Sequence, residues 1–156
     1  MTYIRIKTIS GHKYGYLVDT VQTEKGPRQK VKQYLGKVII PPREKESGLK
    51  QGSSKEKFLV NSIVAELTAH GFREKKGNLC QGKVAFSPSS LQLSKGKKEV
   101  VIRINDGHLC SHTIQQLRNF RKSEDIKKDG YALATAFLEA GLPVSREEFI
   151  SFYGLC

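Results

Sequence analysis

In 156 residues the chain carries 27 Lys and Arg against 15 Asp and Glu, a net charge of +12 at pH 7 with a pI near 9.7. That excess points to a polyanionic partner, and 38% hydrophobic residues suffice for one buried core. No apolar run approaches the roughly 18 residues that cross a bilayer, and the three cysteines, Cys80, Cys110 and Cys156, are too few and odd in number for a disulfide framework. A helical membrane span and a disulfide-stapled fold are thereby excluded. The first seven residues alternate in polarity and lack the apolar stretch of a signal peptide. A cytoplasmic protein with no membrane partner and no cofactor is expected.

The charge is graded along the chain. Residues 1–57 have a net charge of +8, residues 58–105 +5 and residues 106–156 −1. Residues 3–8, Y-I-R-I-K-T, alternate apolar and basic side chains as a half-buried strand does, with Arg5 and Lys7 on its outer face. A turn at residues 10–13 leads to a β-rich run, 14–21, and Glu24-Lys25-Gly26-Pro27 supplies the next turn. Residues 28–35 read as a third strand, with Arg28, Lys30 and Lys32 two apart and projecting from one face. Together with Arg5, Lys7 and Lys13, and with Lys37 beyond, they are expected to form one basic sheet face for phosphate contacts. The tyrosines of these strands are expected to pack inward.

The run G-H-K-Y-G-Y-L-V-D-T, the turn at Lys25-Gly26, and the run R-Q-K-V-K-Q-Y-L-G-K resemble the short N-terminal segment of insertion-sequence transposases. There a tyrosine-rich strand precedes a G-x-x-R-Q-x-x-x-x-Y-L-G-like strand. The matching residues are Tyr14, Tyr16, Leu17, Gly26, Arg28, Gln29, Tyr34, Leu35 and Gly36. The resemblance covers residues 3–38 and implies an association with DNA-handling proteins. It does not imply transposition, because the remaining residues offer no acidic triad and are too few for an RNase H-like core.

Pro41-Pro42 ends this meander, residues 1–40, and the polar, Gly/Ser-bearing stretch 41–54 reads as a linker. Residues 55–156 then form an α+β domain. Ser54 caps a helix whose apolar positions are Phe58, Leu59, Ile63, Val64 and Leu67, stopped at Gly71. Three strand segments follow, 78–86, 91–93 and 99–104, the last preceded by the basic turn of Lys95, Lys97 and Lys98. Asp106-Gly107 turns the chain and Ser111 is expected to cap a short helix, 113–120. Helix–strand–strand–strand–helix is also the order of a double-stranded-RNA-binding domain, but His108-Leu109-Cys110-Ser111-His112-Thr113 replaces that module's lysine cluster, so the similarity is one of topology. The C-terminal third is helical, with one helix stopped at Gly141 and another opened by a capping box at Ser145 and Glu148. These helices are expected to pack on the sheet, and they offer a surface for a protein partner.

One cluster invites chemistry. His108, Cys110 and His112 lie close together with Asp106 just before them, and Cys80 is a conceivable fourth zinc ligand, but paired ligand knuckles are missing. Glu99, Asp106 and His108 could instead hold a divalent ion for phosphodiester cleavage. Neither arrangement is fixed by spacing, and no phosphate-binding loop or nucleophile motif is present. The sequence therefore points to a non-catalytic binder of DNA or RNA, using Arg5, Lys7, Lys13, Arg28, Lys30, Lys32, Lys37, Lys95, Lys97 and Lys98, with no catalytic residue and no metal.

Overall fold

The computed structural model describes residues 2–156. Alternation extends the chain as β1 (Thr2–Ile9), and Ser10 and Gly11, both at positive φ, return it into β2 (His12–Thr23). Two residues at positive φ give the tight hairpin loop whose twist matches paired strands. β3 (Gly26–Ile39) runs antiparallel to β2 from Thr23↔Gly26 to Tyr14↔Lys37, so the expected meander forms. β1 begins at Thr2, opposite Asp19. Beyond that point β2 and β3 project as a two-stranded ribbon, and residues 20–25 and 27–33 are exposed on both of its faces.

Helix α1 (Lys55–Ala69) begins where Ser54 Oγ accepts a hydrogen bond from the Lys57 N–H at 3.2 Å. It ends at Gly71, whose φ of +90° is costly for any residue with a Cβ. Six strands follow where three segments are expected: β4 (Arg73–Lys75), β5 (Asn78–Gln81), β6 (Val84–Ser87), β7 (Gln92–Lys95), β8 (Lys98–Ile104) and β9 (Gly107–Leu109). Residues 78–86 are a hairpin and not one strand, because Gly82, at φ +59°, reverses the chain between Gln81 and Val84. β4 and β9 are three residues long, too short to show a period in sequence. Helices α2 (Ser111–Asn119), α3 (Ile126–Ala140) and α4 (Arg146–Leu155) complete the α+β fold.

The sheet order is β1-β2-β3-β8-β7-β6-β5-β4, with β9 also paired to β8. The meander thus joins the rest through one parallel pairing, Lys37↔Val100, Val38↔Val101 and Ile39↔Ile102. Gly36 makes that junction possible. Its φ is +124°, and a Cβ there would overlap the Glu99 carbonyl.

A large core gathers Phe58, Leu59, Ile63 and Leu67 of α1 with Phe86, Ile102 and Ile104 of the sheet and with Leu117, Leu133, Phe137 and Phe152 of the other helices. A smaller one holds Leu17, Leu35, Val38, Val101 and Cys110, flanked by Ile4 and Ile6.

Residues 41–54, expected as a linker, form no helix or strand and pack against α1. The backbone N–H groups of Glu44 and Lys45 donate to Ala69 O at 2.8 and 3.2 Å. Arg43 and Lys50 both reach the fully buried carboxylate of Glu66, which also accepts from the Asn105 amide. Lys50 is itself buried, and its N–H donates to Glu148 Oε2 at 2.7 Å.

Candidate functional site

Opposed residues in an antiparallel pair share a face, and their chain neighbours lie on the other. The register Arg5↔Tyr16 and Lys7↔Tyr14 in β1–β2, with Tyr16↔Tyr34 and Tyr14↔Lys37 in β2–β3, puts these six side chains on one face. Ile4, Ile6, Leu17 and Leu35 take the opposite face, in the smaller core. The tyrosines therefore turn away from that core, contrary to the expectation that they pack inward. The inner positions belong to Gly15 and Leu17, and a Cβ at Gly15 would already lie 3.1 Å from the Val101 side chain.

On the outer face the tyrosines form a cluster. The rings of Tyr16 and Tyr34 have centroids 5.2 Å apart, and those of Tyr14 and Tyr34 6.5 Å apart, tilted by 47° and 43°. Such tilted pairs leave ring faces open. Lys7 Nζ sits 4.9 Å from the centre of the Tyr16 ring, within range of a cation–π contact. Arg5 donates to the Gln29 side chain. Tyr34 is 50% exposed. Desolvation, then the neighbouring Tyr16 and Tyr14, push its hydroxyl pKa up, so at neutral pH it is an uncharged donor.

This cluster opens into a cleft of about 730 Å³, where β3 meets the β7–β8 hairpin. Tyr14 and Tyr34 line one side, and Lys37, Lys83, Lys95 and Lys98 bring four ammonium groups around it against the single carboxylate of Glu99. Gly96, at φ +65°, sharpens the hairpin that carries Lys95, Lys97 and Lys98, and all three lysines are exposed. Lys83 comes from the β5–β6 turn, and nothing local in the sequence links it to Lys37.

The remaining basic residues lie elsewhere. Arg28 opposes Val21, Lys30 opposes Asp19 and Lys13 opposes Thr8, all on the face that carries Leu17. Lys32 reaches Asp19 at 3.9 Å on the same side. The single basic face expected from Arg5, Lys7, Lys13, Arg28, Lys30 and Lys32 is thus divided between the two sides of the sheet. Register shifts in the β2–β3 pair, between Gly15 and Tyr16 and between Leu17 and Val18, change which residues share a side.

The Asp106 cluster is arranged differently from either chemical scheme. Asn105 and Asp106, at φ +50° and +64°, are the two loop residues of the β8–β9 hairpin, one position earlier than the expected Asp106-Gly107 turn. Glu99 stands at the other end of β8, about 20 Å along the strand from Asp106. His108 Nε2 lies 3.1 Å from an Arg103 guanidinium nitrogen, which can only donate, so that ring nitrogen is an acceptor. Burial, then Arg103, lowers the His108 pKa, and burial, then Lys32, lowers that of His112. With Glu139 these side chains border a hollow of about 220 Å³.

Cys110 is buried and its thiol pKa is raised by desolvation, so it stays protonated. It occupies the N-cap position of α2 in place of the expected Ser111, and its N–H donates to Thr113 Oγ1 at 3.1 Å. Cys80 lies on β5, opposite Arg73 and Ala85. Among the described residues no group of three or more His, Cys, Asp or Glu side chains is placed to hold a metal ion.

No protein family, curated protein or solved structure matches the chain.

Proposed function

We propose that the protein binds nucleic acid without catalysing a reaction on it. The observation that carries this is the continuity of the tyrosine cluster with the lysine-ringed cleft: aromatic faces for bases beside ammonium groups for phosphates. The net charge of +12 supports it as a source of long-range attraction. So does the resemblance of residues 3–38 to the N-terminal segment of insertion-sequence transposases. Free cysteines at positions 80, 110 and 156 fit a reducing cytoplasm. The test is an anisotropy titration of labelled single- and double-stranded DNA and RNA at two salt concentrations. Salt-sensitive binding of at least one of them below about 10 μM is expected at low salt. Absence of binding to all four removes the proposal.

A second reading has its own observation. α3 and α4 border an apolar groove of about 630 Å³, lined by Phe137, Leu138, Leu142 and Phe149, with Leu138 70% exposed. That groove suits a protein partner, making the chain an adaptor whose helices do the work. Binding of no nucleic acid, with self-association or capture of a defined partner lost in Leu138→Glu, would favour it.

A further inference from the structure

We infer that the cleft takes a single-stranded segment of nucleic acid, seating an unstacked base against Tyr34, in preference to a duplex. The inference rests on the nucleic-acid reading above and specifies the form of the ligand. Three observations carry it. Tyr34 is half exposed and meets its aromatic neighbours at tilts of more than 40°, so part of its ring is uncovered and faces the cleft. A duplex keeps its base faces stacked inside and presents only edges and phosphates, so an open aromatic face gains nothing from it. A single strand does offer base faces, and basic grooves floored by aromatics are how such strands are held.

The second observation is the origin of the charges. Lys37, Lys83, Lys95 and Lys98 come from three separate stretches of chain and line the same cleft as Tyr14 and Tyr34. A flexible strand can follow a concave ring of ammonium groups, phosphate by phosphate. The third is the contrast with the other side of the sheet. Arg28, Lys30 and Lys32 project there from the exposed ribbon, and Lys32 is close to Asp19. None of the three clustered tyrosines is on that side, so it is the surface a duplex would find.

The experiment uses the full chain with three fluorescent probes: a twelve-residue oligo-dT, a twelve-residue oligo-rU and a twelve-base-pair DNA duplex. The chain has six tyrosines and no tryptophan, so its intrinsic emission is tyrosine emission, which base stacking quenches. At least one single strand is expected to bind tenfold or more tighter than the duplex at equal salt. Tyr34→Ala should weaken that binding by about tenfold, in the range base–aromatic stacking gives, and change duplex binding by less than about twofold. Tyr34→Phe should keep the affinity, because a ring face and not a hydroxyl is required, while losing part of the quench. Circular dichroism of both variants checks that the fold is intact.

If the duplex binds as tightly as the single strands, or Tyr34→Ala leaves single-strand affinity unchanged, this inference is overturned and nucleic-acid binding survives. If none of the three probes binds, this inference falls, and the proposed function falls with it once a twelve-base-pair RNA duplex, the fourth form, also fails to bind. The oligo-dT and oligo-rU arms separate DNA from RNA.

Discussion

Tyr34 of β3 stands directly across from Tyr16 of β2, with ring centroids 5.2 Å apart, on the side of the sheet that faces away from Leu17 and Leu35. This pair joins the meander to the lysines of the β7–β8 hairpin, because Tyr34 belongs both to the aromatic cluster and to the cleft wall. It also orders the basic residues into those beside the cleft and those behind the sheet.

Charge reversal should respect that order. Lys37→Glu combined with Lys95→Glu and Lys98→Glu is expected to weaken binding by an order of magnitude more than the triple reversal of Arg28, Lys30 and Lys32. The same titrations should give a log–log salt slope near −3 for a single strand if the four cleft lysines each meet a phosphate, at about 0.7 per contact. Equal losses from the two triple variants would place the surface elsewhere.

The buried carboxylate of Glu66 is the centre of the attachment of residues 41–54. It pairs with both Arg43 and Lys50 and accepts from Asn105, whose amide also donates to Gly141 O at 3.0 Å. Glu66→Ala leaves Lys50 buried without that partner, and breaking one half of a buried ion pair costs about 3–5 kcal/mol. Urea unfolding should show a loss of that size. Glu66→Ala protein that is still folded should retain its affinity for nucleic acid, since the network lies apart from the cleft.

Histidine protonation should set part of the acid limb of stability. His108 and His112 are held below the ordinary histidine value by burial and by Arg103 and Lys32 respectively, while Asp106 and Glu139 border the same hollow. A depressed folded-state pKa means that the unfolded chain takes up protons first. The histidines' contribution to stability is therefore complete above about pH 6.5 and falls as the pH drops below it. Glu139, raised by burial, acts in the opposite sense and loses stability as it ionises above about pH 4.5. Melting temperatures at pH 7.5 and 5.5 should converge in His108→Gln/His112→Gln relative to the parent chain. An unchanged difference would mean that neither histidine is held neutral.

Gly36 should be intolerant of any side chain. Gly36→Ala forces a methyl group onto the Glu99 carbonyl at a φ of +124°. A loss of about 2 kcal/mol or more is expected from the strained backbone alone. Because the β3–β8 pairing sets Lys37 opposite Val100, in the wall of the cleft that Lys98 also lines, the surviving folded fraction should also bind less tightly. Unfolding midpoints and anisotropy on the same preparation measure both effects.

Local chemistry announced much of this fold. Ser54 and Ser145 cap their helices, Gly71 and Gly141 stop theirs, and the N-terminal alternation yields an antiparallel meander, as the residues read. Each is decided within a few residues, by a side-chain oxygen meeting a free N–H or by a glycine at a positive φ. Composition likewise sets the charge and its gradient, because counting needs no geometry.

Facing and convergence were decided only by the tertiary structure. Whether Tyr14 and Tyr16 or Gly15 and Leu17 face inward depends on Val101, which lies 84 residues beyond Leu17 in the chain and crowds any side chain placed at Gly15. The split of Arg28, Lys30 and Lys32 from Arg5 and Lys7 follows from register shifts that the sequence does not mark. Lys83 enters the cleft because an antiparallel hairpin folds back beside Lys95, in the register Val84↔Lys95. Alternation tells which residues share a side of a strand; only the partner strand, brought in from far along the chain, determines which side is buried.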